Sequence, residues 1–158
     1  MFKKKRFWGL IAGVVALFAI VLFSWPHSLL NNIDSDIESI AVVVVEESFD
    51  HDADTYVYNK QDSEFRAIME VLDSYSYHMS LKTISSYFSD GANLEGNEAG
   101  YWLNIYLYTE PNRNGECYGI ISGGTGDIAI EDAVYRMGYW ENNSQLKFMS
   151  EICQVVNP

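Results

Sequence analysis

Cysteine and histidine are scarce in this chain. Cys117 and Cys153 are its only cysteines, and His27, His51 and His78 its only histidines. So few thiolate and imidazole groups, so widely scattered, exclude a zinc site. Nucleophilic catalysis also lacks support, because neither a G-x-S-x-G elbow nor an S-x-x-K pair is expected to serve it. The glycine-rich stretch SGGTGD (122–127) lacks the Lys-Ser/Thr ending of a phosphate loop and reads as a turn. Carboxylates abound, so a pair of them has no specificity for glycosidase-like chemistry. No candidate base stands near a candidate nucleophile, and the chain reads as a non-catalytic protein without a cofactor or metal.

Positive charge is sparse beyond the N-terminus. After residue 33 there are six Lys and Arg against 22 Asp and Glu, a net charge of −16. Such a segment repels nucleic acid, which is excluded as a partner, and favours a basic partner, bound cations or plain solubility.

One long apolar run is present. Lys3, Lys4, Lys5 and Arg6 precede an uncharged stretch from Phe7 to Trp25. At a rise of about 1.5 Å per residue this stretch makes a helix of roughly 28 Å, close to the hydrocarbon thickness of a bilayer. Trp8 and Trp25 stand near its two ends, where indoles favour the interface. The basic cluster orients residues 1–6 to the cytoplasm, since no Lys or Arg follows until Lys60. A cleaved signal peptide is the alternative, but VLFSWPHS is bulky up to the boundary and offers no A-x-A site. The expectation is a retained single-pass anchor over 7–25, a tether over 26–36 and an extracytoplasmic domain over 37–158. Cleavage would place the same domain outside the cell.

Within the domain the apolar period changes repeatedly. IESIAVVVVEES (37–48) is a β-branched run expected as a buried strand, and DTYVYN (54–59) as a second. Phe65, Ile68, Met69 and Leu72 recur at helical spacing after Asp62, a suitable N-cap. YSYHMSLKTIS (75–85) reads as a strand and 86–100 as a long polar loop. YWLNIYLYTE (101–110) alternates, pointing Leu103, Ile105 and Leu107 one way and Trp102, Asn104, Tyr106 and Tyr108 the other. Asn114-Gly115 suggests a two-residue hairpin turn, which would set Tyr108 opposite Ile121. Leu146, Met149, Ile152, Cys153 and Val156 form a stripe on a C-terminal helix capped by Asn143. The fold class expected is α+β: a mostly antiparallel sheet of about five to seven strands with two helices, preceded by one transmembrane helix. Val42, Val44, Phe65, Ile68, Met69, Leu72, Leu103, Ile105 and Leu107 are its candidate core.

Two constellations merit weighing. Asp50, Asp52 and Asp54 alternate as in a calcium loop, but Thr55 replaces the turn glycine and Gln61 the bidentate Glu, so a solvated turn is the better reading. Trp102, Tyr106 and Tyr108 share one sheet face with Cys117 and are either covered, by the C-terminal helix or the loop 86–100, or available as a partner contact. A Cys117–Cys153 disulfide requires the C-terminal helix to pack on that aromatic face, and both states of the cysteines stay open.

The succession of anchor, SIAVVVV strand, single amphipathic helix, polar loop and YWLNIYLYTE leading into CYGIISG resembles small extracytoplasmic domains of unknown function from Gram-positive bacteria. Those domains are anchored alone or appended to membrane sensor peptidases. The resemblance implies a cell-surface binding or sensory role and transfers no catalytic residue. The functional expectation is therefore a membrane-anchored, extracytoplasmic interaction or sensory module for a protein, peptide or glycan. The −16 charge supports the alternative of an immunity-type protein that neutralises a basic exported toxin.

Overall fold

The computed structural model describes residues 2–30, 33, 36–46, 53–89, 92, 94, 99–138 and 143–157, with the side chains of 2–7 and 22 excepted. In chain order the elements are α1 (Phe2–Ser24), β1 (His27–Ser28), β2 (Ser39–Glu46), β3 (Asp54–Asn59), α2 (Ser63–Ser74) and β4 (Ser76–His78). They continue with α3 (Leu81–Ser86), β5 (Tyr101–Glu110), β6 (Asn114–Ser122), β7 (Asp127–Ile130), β8 (Ala133–Met137) and α4 (Ser144–Val156). The strands form one antiparallel sheet in the order β1-β4-β8-β7-β6-β5-β2-β3. The α+β class and the antiparallel sheet agree with the sequence.

The described residues hold eight strands where five to seven were expected, and three helices after α1 where two were expected. The additional elements are short. Two-residue β1 and three-residue β4 leave no periodic signal to read. Residues 75–85, expected as one strand, divide into β4 and α3 because Ser80 and Thr83 form a capping box. The Thr83 N–H donates to Ser80 Oγ at 3.4 Å and the Ser80 N–H to Thr83 Oγ1 at 2.8 Å. Asp62 does occupy the N-cap of α2, but its carboxylate serves the preceding turn, accepting the Asn59 N–H at 2.7 Å.

Among the described residues no helix is long and apolar enough to cross a membrane. The helix that carries the expected span is present as α1, with Trp8, Leu10, Val14, Phe18 and Ile20 exposed. The side chains of Phe7 and Leu22 within that span lie outside the described residues. Only Trp25 and Pro26 separate α1 from β1. The stretch 26–36, read as a tether, contributes β1 and the buried Leu29. His27 also stacks on Tyr77 of β4, with ring centroids 5.6 Å apart.

Helices α2 and α4 lie together on one face of the sheet and close the core. Val42, Phe65, Ile68, Leu72, Leu103, Ile105 and Leu107 are buried there, while Val44 and Met69 are half-buried against them. The stripe of α4 is rotated from the expected one: Gln145 and Phe148 are buried, while Leu146 and Cys153 stand half-buried at its border. The rotation follows from one amide. Gln145 Nε2 donates to Ser122 Oγ at 2.6 Å and to the Asp127 carbonyl at 2.7 Å, and its Oε1 accepts the Gly126 N–H.

Leu72→Ala should destabilise the domain by about 2–5 kcal/mol in urea unfolding, because Leu72 is completely buried. Gln145→Leu keeps the volume but strands buried polar groups on β6 and β7, and should cost about 1–3 kcal/mol or more. A change below about half a kcal/mol, the size typical of surface substitutions, would contradict either placement.

Candidate functional site

Strand register assigns each side chain to a face, because directly opposed residues point the same way. Tyr106 stands with Ala41 and Gly119, Tyr108 with Ser39 and Cys117, and Trp102 with Val45. The hairpin does not turn at Asn114-Gly115. Pro111, Asn112 and Arg113 form the turn, with left-handed φ of 57° at Asn112 and 64° at Arg113. Gly115, at φ 76°, instead sits across a register shift between Tyr108 and Glu110. Tyr108 therefore faces Cys117, and Ile121 faces Asn104. The register moves by four residues, an even number, so every side chain keeps its expected face.

The face carrying Trp102, Tyr106 and Tyr108 is the one opposite α2 and α4. The expected cover by the C-terminal helix does not form, since α4 is bound through Gln145 to the other face. Of the loop 86–100, the alternative cover, residues 90, 91, 93 and 95–98 lie outside the described residues. All three aromatic side chains are partly exposed. Glycines opposite them let the rings lie on the backbone of β6. A Cβ added at Gly123 would come within 2.5 to 2.9 Å of the Trp102 indole, and one at Gly119 would touch the Tyr106 ring at 3.7 Å.

Among the described residues, the strand positions on this face from Thr55 of β3 to Ile121 of β6 are uncharged up to Tyr108, and charge enters only at its end, with Glu110 of β5 and the Arg113 side chain hydrogen-bonded to Tyr108. It presents Thr55 and Val57 from β3, Ala41, Val43 and Val45 from β2, Trp102, Asn104, Tyr106 and Tyr108 from β5, and Cys117, Gly119 and Ile121 from β6. In a segment of net charge −16 that is a marked segregation. Burial pushes the Tyr108 phenol up, with Arg113 opposing the shift and Cys117 adding to it. The surface is thus neutral, broad and rich in stiff amphipathic rings, which is the composition of a contact surface.

Farther along the sheet the same face becomes ionic. Asp127, almost buried, accepts from Lys82 of α3 at 2.7 Å and from Arg136 of β8 at 3.1 Å. These pairs fasten α3 to the sheet. Burial and the nearby Arg136 lower the pKa of His78. The arrangement is structural, since the carboxylate is fully engaged by two cations.

Other candidates do not assemble. Among the described residues no group of three or more His, Cys, Asp or Glu could hold a metal ion. Asp54 opens β3, whereas Asp50 and Asp52 lie outside the described residues. Ser144 and Lys147 have the S-x-x-K spacing of a Ser–Lys nucleophile pair, contrary to the expectation that the chain holds no such motif. Lys147, however, stands in solvent and approaches Glu151 at 3.9 Å, instead of being desolvated beside the hydroxyl as an activating base requires. Cys117 is exposed on the open face and Cys153 half-buried on α4, and both are free. Burial pushes the Cys153 thiol up, and Tyr101, packed beside it, is pushed up to about 12.

Because the sheet separates the two thiols, no disulfide should join them in the folded protein. Alkylation without reductant, followed by mass spectrometry, should label both cysteines and modify Cys117 much faster. Labelling that requires prior reduction would overturn this placement. No protein-family model, no curated protein and no solved structure matches the chain, so the reading of this face rests on its own chemistry.

Proposed function

We propose that the protein is a membrane-anchored, extracytoplasmic interaction or sensory module that meets its partner through the neutral aromatic face of its sheet. The observation that carries this reading is the segregation of charge. A strongly acidic segment keeps the described strand positions across the middle of one broad face free of charge, with Glu110 and Arg113 at its end, and places Trp102, Tyr106 and Tyr108 on it. Desolvating that face costs no buried charge, and its rings lose little conformational entropy on contact.

The anchor in this proposal is the uncharged stretch 7–25, held N-terminus-in by the basic residues 3–6. Its support is the length of that run and the exposed apolar side chains of α1. With only Trp25 and Pro26 between helix and sheet, the anchor would hold the β1 edge at the membrane surface. The runner-up, an immunity-type protein for a basic toxin, draws on the −16 charge. The neutrality of the aromatic face favours the first reading, because a charge-steered complex places its contacts among the charges.

The test is the double substitution Trp102→Ala, Tyr106→Ala in the full chain on intact cells, with crosslinking capture and thermal melting measured together. Lost capture at an unchanged melting temperature is expected. Retained capture would refute the contact role, and a fall of several degrees would assign the rings to stability. Association should vary little with ionic strength, whereas a toxin complex steered by charge would form much more slowly at high salt.

A further inference from the structure

The connection from β1 to β2 lends Leu29 and Ile33 to a site on the other side of the sheet. β1 lies at one edge and β2 next to the opposite edge, six strand spacings away, or about 29 Å in a flat sheet. Residues 29–38 join the two strands; 31, 32, 34 and 35 lie outside the described residues, and the Ile33 N–H donates to the Leu30 carbonyl at 3.1 Å. Leu29 and Ile37 are buried near the two ends of the crossing, and Leu30 and Ile33 pack on the core.

Beneath the crossing is a cavity of about 480 Å³, within the size range of small-molecule sites. Ile120, Ile130 and Tyr135 line it from the sheet, and Leu29 and Ile33 from the crossover. The phenols of Tyr87 and Tyr135 meet there at 3.0 Å. Burial and this contact push the Tyr135 phenol up, so it remains a neutral hydrogen-bonding group.

The cavity wall also carries Glu116, Glu131 and Asp132, all exposed, and no Lys, Arg or His. Glu131 holds a left-handed φ of 51°, uncommon for a residue with a side chain. Its N–H donates to the Gly119 carbonyl at 3.0 Å and its Oε1 accepts the Gly119 N–H at 2.7 Å. That double bond pattern fixes the carboxylate beside the apolar floor. Glu116 accepts the Tyr118 hydroxyl at 3.2 Å.

We propose that this cavity binds a small amphipathic amine, with its apolar body on Ile120 and Ile130 and its ammonium group at Glu116, Glu131 and Asp132. Charge complementarity selects the cation: three carboxylates face no basic side chain in the lining, and the −16 segment repels an organic acid. The phenols of Tyr87 and Tyr135 offer the aromatic surface that ammonium groups favour. The apolar floor of this site lies across the sheet from Trp102, Tyr106 and Tyr108, with Cys117 and Gly119 of the aromatic face also at its wall, and the proposal stands independently of the partner proposed for that face.

The full chain in phosphatidylcholine nanodiscs is titrated calorimetrically with 4-phenylbutylamine, 4-phenylbutanol and 4-phenylbutyrate, with empty nanodiscs as the partition control. The three probes share one body and differ only in the end group. The amine should saturate at one per chain and bind most tightly. Ala133→Leu, which fills the cavity, should abolish this binding. The double variant Glu116→Gln, Asp132→Asn should weaken it at least about fivefold at an unchanged melting temperature. Equal binding of the three probes, binding no greater than to empty nanodiscs, or amine affinity unchanged in either variant would overturn the proposal. Capture through Trp102 and Tyr106, measured on the same variants, should persist, which separates failure here from failure of the aromatic face.

Discussion

The amide of Gln145 is the interaction on which the arrangement of this domain depends. It is almost completely buried, and a buried amide without partners would be strongly unfavourable. Its partners are all at one place, the end of β6 and the start of β7, where Ser122, Gly126 and Asp127 meet it. The turn between those strands can close only because Gly124 and Gly126 take left-handed φ of 87° and 88°. Apolar burial would accept α4 on either face of a sheet, but this polar match accepts one. With α4 bound there, Phe148, Met149 and Ile152 complete the core against α2.

Everything distinctive about the other face follows from that choice. A sheet covered by helices on one side can leave its second side to water or to a partner. Here the second side divides into two regions of different character. Near β8 it is pinned by the buried carboxylate of Asp127 between Lys82 and Arg136. From β6 to β3 its described strand positions carry three partly exposed aromatic rings and no charge short of Glu110 and the turn residue Arg113 at its end. The ionic region gives α3 its attachment, and the neutral region gives the domain a surface that can be desolvated without stranding an ion.

The route of the chain between α1 and β2 adds a mechanical consequence. A flexible tether would let the domain swing independently of the N-terminal helix. Instead β1 pairs with β4 two residues after α1 ends, His27 stacks on Tyr77, and Leu29 enters the core. The first helix is thereby joined to the sheet through a short, packed connection. Whatever rests under the crossover touches the segment that links that helix to the rest of the fold.

Much of this was legible in the order of residues, because it depends on local period. The face of α2 is written in Phe65, Ile68 and Leu72, and the two faces of β5 in the alternation of YWLNIYLY. Both belong to one element and need no knowledge of neighbours. Even the misplaced hairpin turn left the aromatic face intact, since a slip of four residues preserves side-chain parity. The short strands β1 and β4 could not be read this way, because two or three residues carry no period. Nor could the crossover: Leu29, Leu30, Ile33 and Ile37 lie among Asn and Asp residues and acquire their role only from the sheet beneath them. By itself the sequence determined the α+β class, the apolar stripe of α2 and the neutrality of the aromatic strand face. Which side of the sheet each helix covers, and hence which aromatics meet water, was decided only in the tertiary structure, where one buried amide found its partners on a single face.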